Sequence, residues 1–231
     1  MHLVAVGGSD AAAERCARRH PGTDLDAVAG HIAEWNRCLV FVVEVPLRTE
    51  RLILRPFATD DLDALHAIRS HPDAMRFLGG KPWTRAETAE QLARLVECDR
   101  LSAQGESLRL AIERRAAPGL IGSVSLRWVS AADKRGEVGF VIHPSHQGHG
   151  FATEAAGGML QLAFERLRLH RVVAGADPRN RASVAVLRRL RMQQEACLRH
   201  HTWLNDEWAD ELIFGMLAEE WSRWTAPTTR A

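Results

Sequence analysis

One stretch, residues 136–169, constrains the fold of this chain more than any other. The apolar run Val138–Ile142 predicts a buried strand, and apolar side chains at helical spacing from Thr153 onward predict a helix with one buried face. Gly148 and Gly150 lie between them. Strand, glycine turn and helix in this order direct several free backbone N–H groups at one point, above the positive end of the helix dipole. The stretch therefore predicts a site for a phosphate group.

The residues around the two glycines distinguish this prediction from a plain tight turn. The turn is Gln-Gly-His-Gly-Phe-Ala over Gln147–Ala152. No Gly-Lys-Ser/Thr follows, as a Walker loop requires, and the glycine spacing differs from the G-x-G-x-x-G dinucleotide fingerprint. The turn instead resembles the Q/R-x-x-G-x-G/A pyrophosphate loop of GNAT-superfamily acetyltransferases, which implies an acyl-CoA ligand.

Length and charge limit the other possibilities. A chain of 231 residues, 26% charged and 46% hydrophobic, can bury one good-sized core with a small appendage. Its net charge of +1 gives no electrostatic case for a nucleic-acid partner. We expect an N-terminal extension of unknown role over residues 1–45, which is either an added subdomain or sequence upstream of a true start, and one domain over residues 46–231.

The cysteines and the apolar runs predict the compartment. The four cysteines are scattered without C-x-x-C pairing, which predicts neither a metal site nor a disulfide framework; they are Cys16, Cys38, Cys98 and Cys197. The first residues do not have the features of a signal peptide, and no apolar run approaches membrane-spanning length. We predict a cytoplasmic protein without a membrane partner, as a monomer or homodimer.

From Pro46 onward the pattern alternates between strands and helices, which predicts an α/β domain with a mixed sheet. Predicted strands cover 47–56, 108–113, 120–128, 136–142, 172–176, 195–203 and 209–217, with turns at 117–119 and 205–206. Thr59 or Asp60 is expected to cap the first helix. Thr84 and Glu87 form a capping box for a helix to about Arg100, and further helices begin at Thr153 and Asn180.

Four segments extend the resemblance from residue 46 to 224 and place it nearest the RimJ/RimL-type N-terminal acetyltransferases. They are Thr49–Phe57, Gly136–Phe140, Asn180–Leu190 and Asp210–Trp221. The resemblance implies the GNAT fold, a mixed central sheet flanked by helices. It also implies transfer of an acetyl group from acetyl-CoA to a primary amine, with a protein N-terminus favoured. A small-molecule amine acceptor and a non-catalytic acyl-CoA-binding module are the alternatives.

The resemblance also assigns the cofactor contacts. Backbone groups of Phe140, Val141 and Ile142 would pair with the pantetheine amides. The pyrophosphate would lie on the amides of Gln147, Gly148, His149, Gly150, Phe151 and Ala152. Asn180 would bind the pantetheine arm, and Ser183 lies one turn further along the same helix.

The candidates for proton transfer are few. Glu137 is the candidate general base, unless it only pairs with Arg127 or Arg135. Ser183 is the candidate donor to the CoA thiolate, unless its hydroxyl only bonds the helix backbone. His200 and His201, on a late strand, are weaker candidates at the acceptor cleft.

Two departures from the family pattern bear on the chemistry. The chain has no tyrosine, the residue that many superfamily members use to protonate the thiolate, and Phe214 stands where a tyrosine is common. The usual Gly-Phe after the second helix is Arg191-Met192, so that turn is made without glycine. On the acceptor side, Phe77, Trp83 and Gly79–Gly80 would clamp a peptide or small amine, unless Trp83 only packs against a helix.

Overall fold

The computed structural model describes residues 43, 45–78, 81–97, 101 and 104–225. Most of the expected N-terminal extension and the loop glycines Gly79–Gly80 lie outside the described residues. At the end of the extension, Val43 is buried in the main core and Val45 packs against it. Among the residues described, no helix is both long and apolar enough to cross a membrane.

One eight-stranded mixed sheet organises the domain, in the order β1-β2-β3-β4-β5-β6-β8-β7. The strands are β1 (Leu47–Arg48), β2 (Leu52–Arg55), β3 (Ser107–Arg114), β4 (Ala117–Ser130), β5 (Arg135–Ile142), β6 (Arg171–Ala176), β7 (Gln193–Leu204) and β8 (Glu207–Leu217). Every neighbouring pair is antiparallel except β5 and β6, which are parallel. The predicted α/β class and mixed sheet are confirmed.

Two predicted boundaries in the first half of the sheet are wrong. The single strand expected over 47–56 is two short antiparallel strands, because the chain turns at Thr49, whose hydroxyl accepts from the Leu52 N–H at 3.1 Å. The turn expected at 117–119 lies at residues 115–116, and β4 begins at Ala117. The pairing of β3 with β4 shifts its register on both sides of Glu113, which accommodates the extra residues of β4. β4 therefore continues through Pro118.

Helices α1 (Leu62–Arg69), α2 (Pro72–Met75) and α3 (Arg85–Val96) precede β3. Leu65 and Leu92 from α1 and α3 pack with Ala111 of β3 in a second apolar cluster. The predicted capping box of α3 is confirmed, since the Thr84 hydroxyl accepts from the Glu87 N–H at 3.2 Å and the Glu87 carboxylate accepts from the Thr84 N–H at 2.7 Å.

The expected cap of α1 is wrong. A 3₁₀ turn over Thr59–Asp61 precedes α1, and Asp61 occupies the N-cap position. Its carboxylate faces away from the helix and forms two bonds of 2.7 Å with the Arg55 guanidinium. These bonds tie the start of α1 to the end of β2.

The main core lies between the sheet and two further helices, α4 (Phe151–Gln161) and α5 (Arg181–Arg189). A π-helical turn over Leu162–Arg166 extends α4, and α6 (Ala218–Thr225) follows β8. The predicted turn without glycine after α5 is present, with Arg191 in the left-handed region at φ 63°. Phe214 is fully buried in this core.

Candidate functional site

The sheet opens between β5 and β6. Their parallel ladder has three pairs, from Arg135–Arg171 to Glu137–Val173. Beyond it β5 continues to Ile142 against β4, and β6 continues to Ala176 against β8. The facing edges carry backbone N–H and C=O groups that no other described strand covers. An extended ligand with amide groups can pair with such edges as a strand would.

The loop after β5 is shaped by Gln147. Its side-chain Nε2 donates to the Ile142 carbonyl at 3.0 Å, which ties the loop to the end of the strand. Its backbone N–H donates to the Pro144 carbonyl at 3.2 Å. Gln147 therefore holds the loop in place, and the amides that are open to a ligand begin at Gly148.

The start of α4 contains hydrogen-bond donors that have no acceptor among the described residues. Gly148 and Gly150 have φ of +80° and +81°, and Gly150 is the N-cap of the helix. The N–H groups of Phe151 and Ala152 belong to the first turn, where no intrahelical carbonyl is available. The buried Thr153 hydroxyl also has no partner among the described residues. These donors fit a diphosphate at the positive end of the helix dipole.

A carboxylate in the same turn is held away from that site. Glu154 accepts from the Thr49 hydroxyl and the Arg51 N–H at 2.6 Å each, and from Arg51 Nε at 2.7 Å. Burial raises its pKa, but the bonds from Thr49 and Arg51 outweigh burial and leave the pKa below its ordinary value. Arg51 also donates to the His149 carbonyl at 3.0 Å. This Arg51–Glu154 clip neutralises the carboxylate and fixes the loop against the β1–β2 turn.

A cleft of about 1210 Å³ joins these parts. All the predicted cofactor-binding residues line it: Phe140, Val141, Ile142, Gln147, Gly148, His149, Gly150, Phe151, Ala152, Asn180 and Ser183. Five arginines line it as well: Arg51, Arg76, Arg179, Arg181 and Arg189. The sequence did not predict them, since arginine is the common basic residue throughout the chain and has no local pattern here.

The two polar residues at the start of α5 are bonded to each other. Asn180 caps the helix, and its Oδ1 accepts from the Ser183 N–H at 3.1 Å. The cap fixes the Asn180 side chain at the edge of the cleft, which Ser183 also lines. Their predicted contacts with the pantetheine arm and the thiolate stay predictions.

The histidines beside the loop are held by local contacts. The His149 ring stacks on Phe151 at 5.7 Å between centroids, and its Nδ1 bonds the Gln147 carbonyl at 2.8 Å. Burial, together with the nearby His71, lowers the pKa of His143. A neutral His143 adds no positive charge to the end of β5.

Glu137 forms an ion pair with Arg127 across β5 and β4. It is not among the residues that line the cleft, whose lining on β5 begins at Phe140. This ion pair is the alternative to a catalytic role that the sequence left open. A catalytic role for Glu137 stays a prediction.

On the acceptor side, Phe77 lines the cleft, with the Arg76 guanidinium 5.2 Å from the centre of its ring. Trp83 packs instead under the Arg69 guanidinium, 4.8 Å from the centre of its ring, and its backbone N–H donates to the Arg69 carbonyl at 2.9 Å. Burial, with a contribution from Arg109, lowers the pKa of Arg69 to about 10. Trp83 therefore has the packing role that the sequence left as the alternative.

Comparison with known proteins agrees with this geometry. Residues 51–193 match the acetyltransferase (GNAT) domain family. An uncharacterised N-acetyltransferase, p20, of Bacillus licheniformis is 28% identical, over 76% of this chain and 98% of the relative. The crystal structure of a GNAT-family acetyltransferase from Bacillus anthracis superimposes with a TM-score of 0.68 at 25% identity, over 75% of this chain and 99% of that one.

Two relatives have named acceptors. The spermidine N(1)-acetyltransferase of Escherichia coli K12 is 26% identical, over 69% of this chain and 82% of its own. The ribosomal protein uS5 alanine N-acetyltransferase of the same organism is 23% identical, over 78% and 95%.

The opened sheet, the donor-rich helix start and the match over more than half of the chain define one class of protein. The chain belongs to the GNAT acetyltransferase family. Within the family, the chain is similar to the RimJ/RimL-like branch. It is an acetyl-CoA-dependent N-acetyltransferase.

Proposed function

We propose that this chain acetylates the N-terminal amine of a protein. The acyl donor, acetyl-CoA, is that of the family, whereas the acceptor rests on the relatives. The opening between β5 and β6 is the observation that carries the acetyl-CoA-dependent activity, because one cleft joins the free edge of β5 to the donor-rich start of α4.

The roles of the residues follow from their places in the cleft. Amides from Gly148 to Ala152 and the Thr153 hydroxyl bind the pyrophosphate, and the free edge of Phe140–Ile142 pairs with the pantetheine amides. When bound, acetyl-CoA supplies the activated acetyl group. Ser183 is the candidate that protonates the leaving thiolate, since the chain has no tyrosine and Phe214 is fully buried.

An α-amine suits such a site. Its pKa is about 8, so only modest help is needed to remove its proton at neutral pH. Alignment of amine and thioester in one cleft supplies about 7–11 kcal/mol of the barrier. We further infer that the protein acts in the cytoplasm, which the exposed, unpaired Cys197 supports.

Calorimetric titration with acetyl-CoA tests the cofactor site. Gly150→Asp places a carboxylate at a position with φ of +81° beside the phosphate donors, and should abolish binding. Gly105→Asp is the matched control, because Gly105 also has a positive φ, 93°, but does not line the cleft. Equal binding by the wild type and Gly150→Asp would refute the assigned site.

An acceptor assay follows, with an alanine-starting peptide and spermidine as probes. Faster turnover of the peptide supports the proposal, and faster turnover of spermidine would replace it with a small-molecule acceptor. Tight acetyl-CoA binding without acetylation of any amine would favour a non-catalytic binding module.

A further inference from the structure

The hairpin of β7 and β8, which follows β6 in the sheet, contains an irregularity. Leu198 pairs with Glu211 and Thr202 with Ala209, so residues 199–201 all lie opposite Asp210. In this bulge His200 has φ of 49°, and its N–H donates to Asp210 Oδ1 at 2.9 Å. A non-glycine residue with positive φ that is held by a side-chain bond is a feature common beside functional sites.

The bulge sets the direction of His201. Its Nε2 lies 3.3 Å from Glu211 Oε2. A regular ladder would instead place residue 201 opposite residue 208 or residue 210. His201 also lines a recess of about 640 Å³ along residues 197–201. The carboxylate of Glu211 thus has an imidazole partner, and the residue that carries this imidazole also lines an open surface recess.

The carboxylate of Glu211 lies over Gly175 of β6. A Cβ at residue 175 would overlap Glu211 Oε1, so only glycine admits the carboxylate at this place. Gly175 is two residues beyond Val173, the last residue of β6 that pairs with β5. Glu211 therefore lies on the sheet just where the two strands separate.

This position is at the reacting end of the opening. The pyrophosphate donors are at the far end of β5, so a pantetheine arm that follows β5 from that end directs its thioester toward the closed end at Glu137–Val173. Gly175 is exposed, and the side chain of Glu211 keeps 29% of its surface accessible. An amine can reach the carboxylate from solvent.

The charges around Glu211 favour a proton acceptor. Burial raises its pKa, the nearby His201 lowers it, and Glu137 raises it again, so that the pKa is above the ordinary value of 4.5. Glu137, in contrast, forms an ion pair with Arg127. A carboxylate of raised pKa is the stronger base.

We infer that Glu211, oriented by His201, accepts the proton of the substrate amine, in place of Glu137. The inference rests on the proposed N-acetyltransferase function. The ammonium group gives one proton to the Glu211 carboxylate, and the neutral nitrogen attacks the thioester carbonyl. The new C–N bond forms, the C–S bond breaks, and the second proton of the nitrogen goes to the thiolate. Glu211 then releases its proton to water.

The test measures two reactions of the full-length protein with acetyl-CoA. The first is acetylation of the alanine-starting peptide and of spermidine. The second is the slow hydrolysis of acetyl-CoA without amine, in which water must lose a proton to the same base. The hydrolysis gives a pH profile free of the amine's own titration.

Glu211→Gln should lower kcat in both reactions by about 100-fold or more, with acetyl-CoA binding unchanged. The acid limb of the hydrolysis profile should disappear. His201→Gln should lower kcat less and move that limb to higher pH, because His201 lowers the pKa of Glu211. Glu219→Gln is the matched control, since Glu219 is an exposed glutamate that pairs with Arg223 on α6.

Wild-type rates and an intact acid limb in Glu211→Gln would overturn the inference, most directly if Glu137→Gln lost both. Equal thermal unfolding of Glu211→Gln and the wild type shows that the fold is unchanged. A wild-type enzyme that acetylates neither probe would refute the proposed acceptors alone, because the hydrolysis still decides the role of Glu211.

Discussion

The Arg51–Glu154 clip gives the most specific prediction of stability. The Glu154 side chain is 15% exposed and accepts three hydrogen bonds. Glu154→Gln keeps its shape but turns an NH₂ group toward at least one donor. Bonds to a charged, largely buried group contribute about 1.5–3 kcal/mol. The pair with Arg51, whose side chain is 47% exposed, adds less than about 1 kcal/mol. We expect a loss of about 2 kcal/mol.

Urea unfolding followed by tryptophan fluorescence measures this loss as a lower midpoint at unchanged slope. Glu90→Gln is the matched control, because Glu90 is an exposed glutamate on α3, and should change the free energy of unfolding by less than about 0.5 kcal/mol. A double-mutant cycle with Arg51→Ala separates the ion pair from the bond to Thr49.

The pH dependence of the same difference tests its cause. The folded pKa of Glu154 is below its ordinary value of 4.5, so the stabilisation is complete above pH 4.5 and is lost as the pH falls through the folded pKa. The wild type and Glu154→Gln should therefore converge in acid. Equal stability at pH 7, or a difference that grows toward acid pH, would refute the argument.

Three further substitutions test the core, a turn and a cap in the same urea titration. Phe214→Ala empties a fully buried site and should cost about 3–5 kcal/mol; an effect below 1 kcal/mol would mean that the core refills. Arg191→Gly relieves a left-handed residue with φ of 63° and should stabilise by about 1 kcal/mol, whereas any destabilisation would contradict the assigned strain. Thr84→Ala removes one half of the capping box of α3 and should cost about 1 kcal/mol; no loss would show that solvent replaces the cap.

Features that depend on a few adjacent residues were predictable. The glycine loop and the capping box at Thr84–Glu87 lie where the sequence places them. So does the hairpin turn at Asn205–Asp206, where both residues have positive φ, 50° and 63°. Asparagine, aspartate and glycine tolerate that conformation, so their positions identify it.

Features made by distant residues were not predictable. β1 ends before Thr49, whose hydroxyl accepts from the Leu52 N–H and donates to the Glu154 carboxylate. Glu154 is 105 positions away along the chain. His201 meets Glu211 only because a bulge changes the register of the hairpin. A period-2 pattern does not show where a register shifts. The arginines of the cleft gave no signal because arginine is the common basic residue throughout the chain.

The opening between β5 and β6 places two sheet edges inside the protein. Outer edges of a sheet invite pairing with other chains, but these two face each other, and only a narrow extended molecule can enter between them. In the proposed complex, the pantetheine arm of acetyl-CoA completes the sheet. Slower amide hydrogen exchange on ligand binding is therefore expected in Val138–Ile142 and Ala174–Ala176, the segments that remain one neighbour short in its absence.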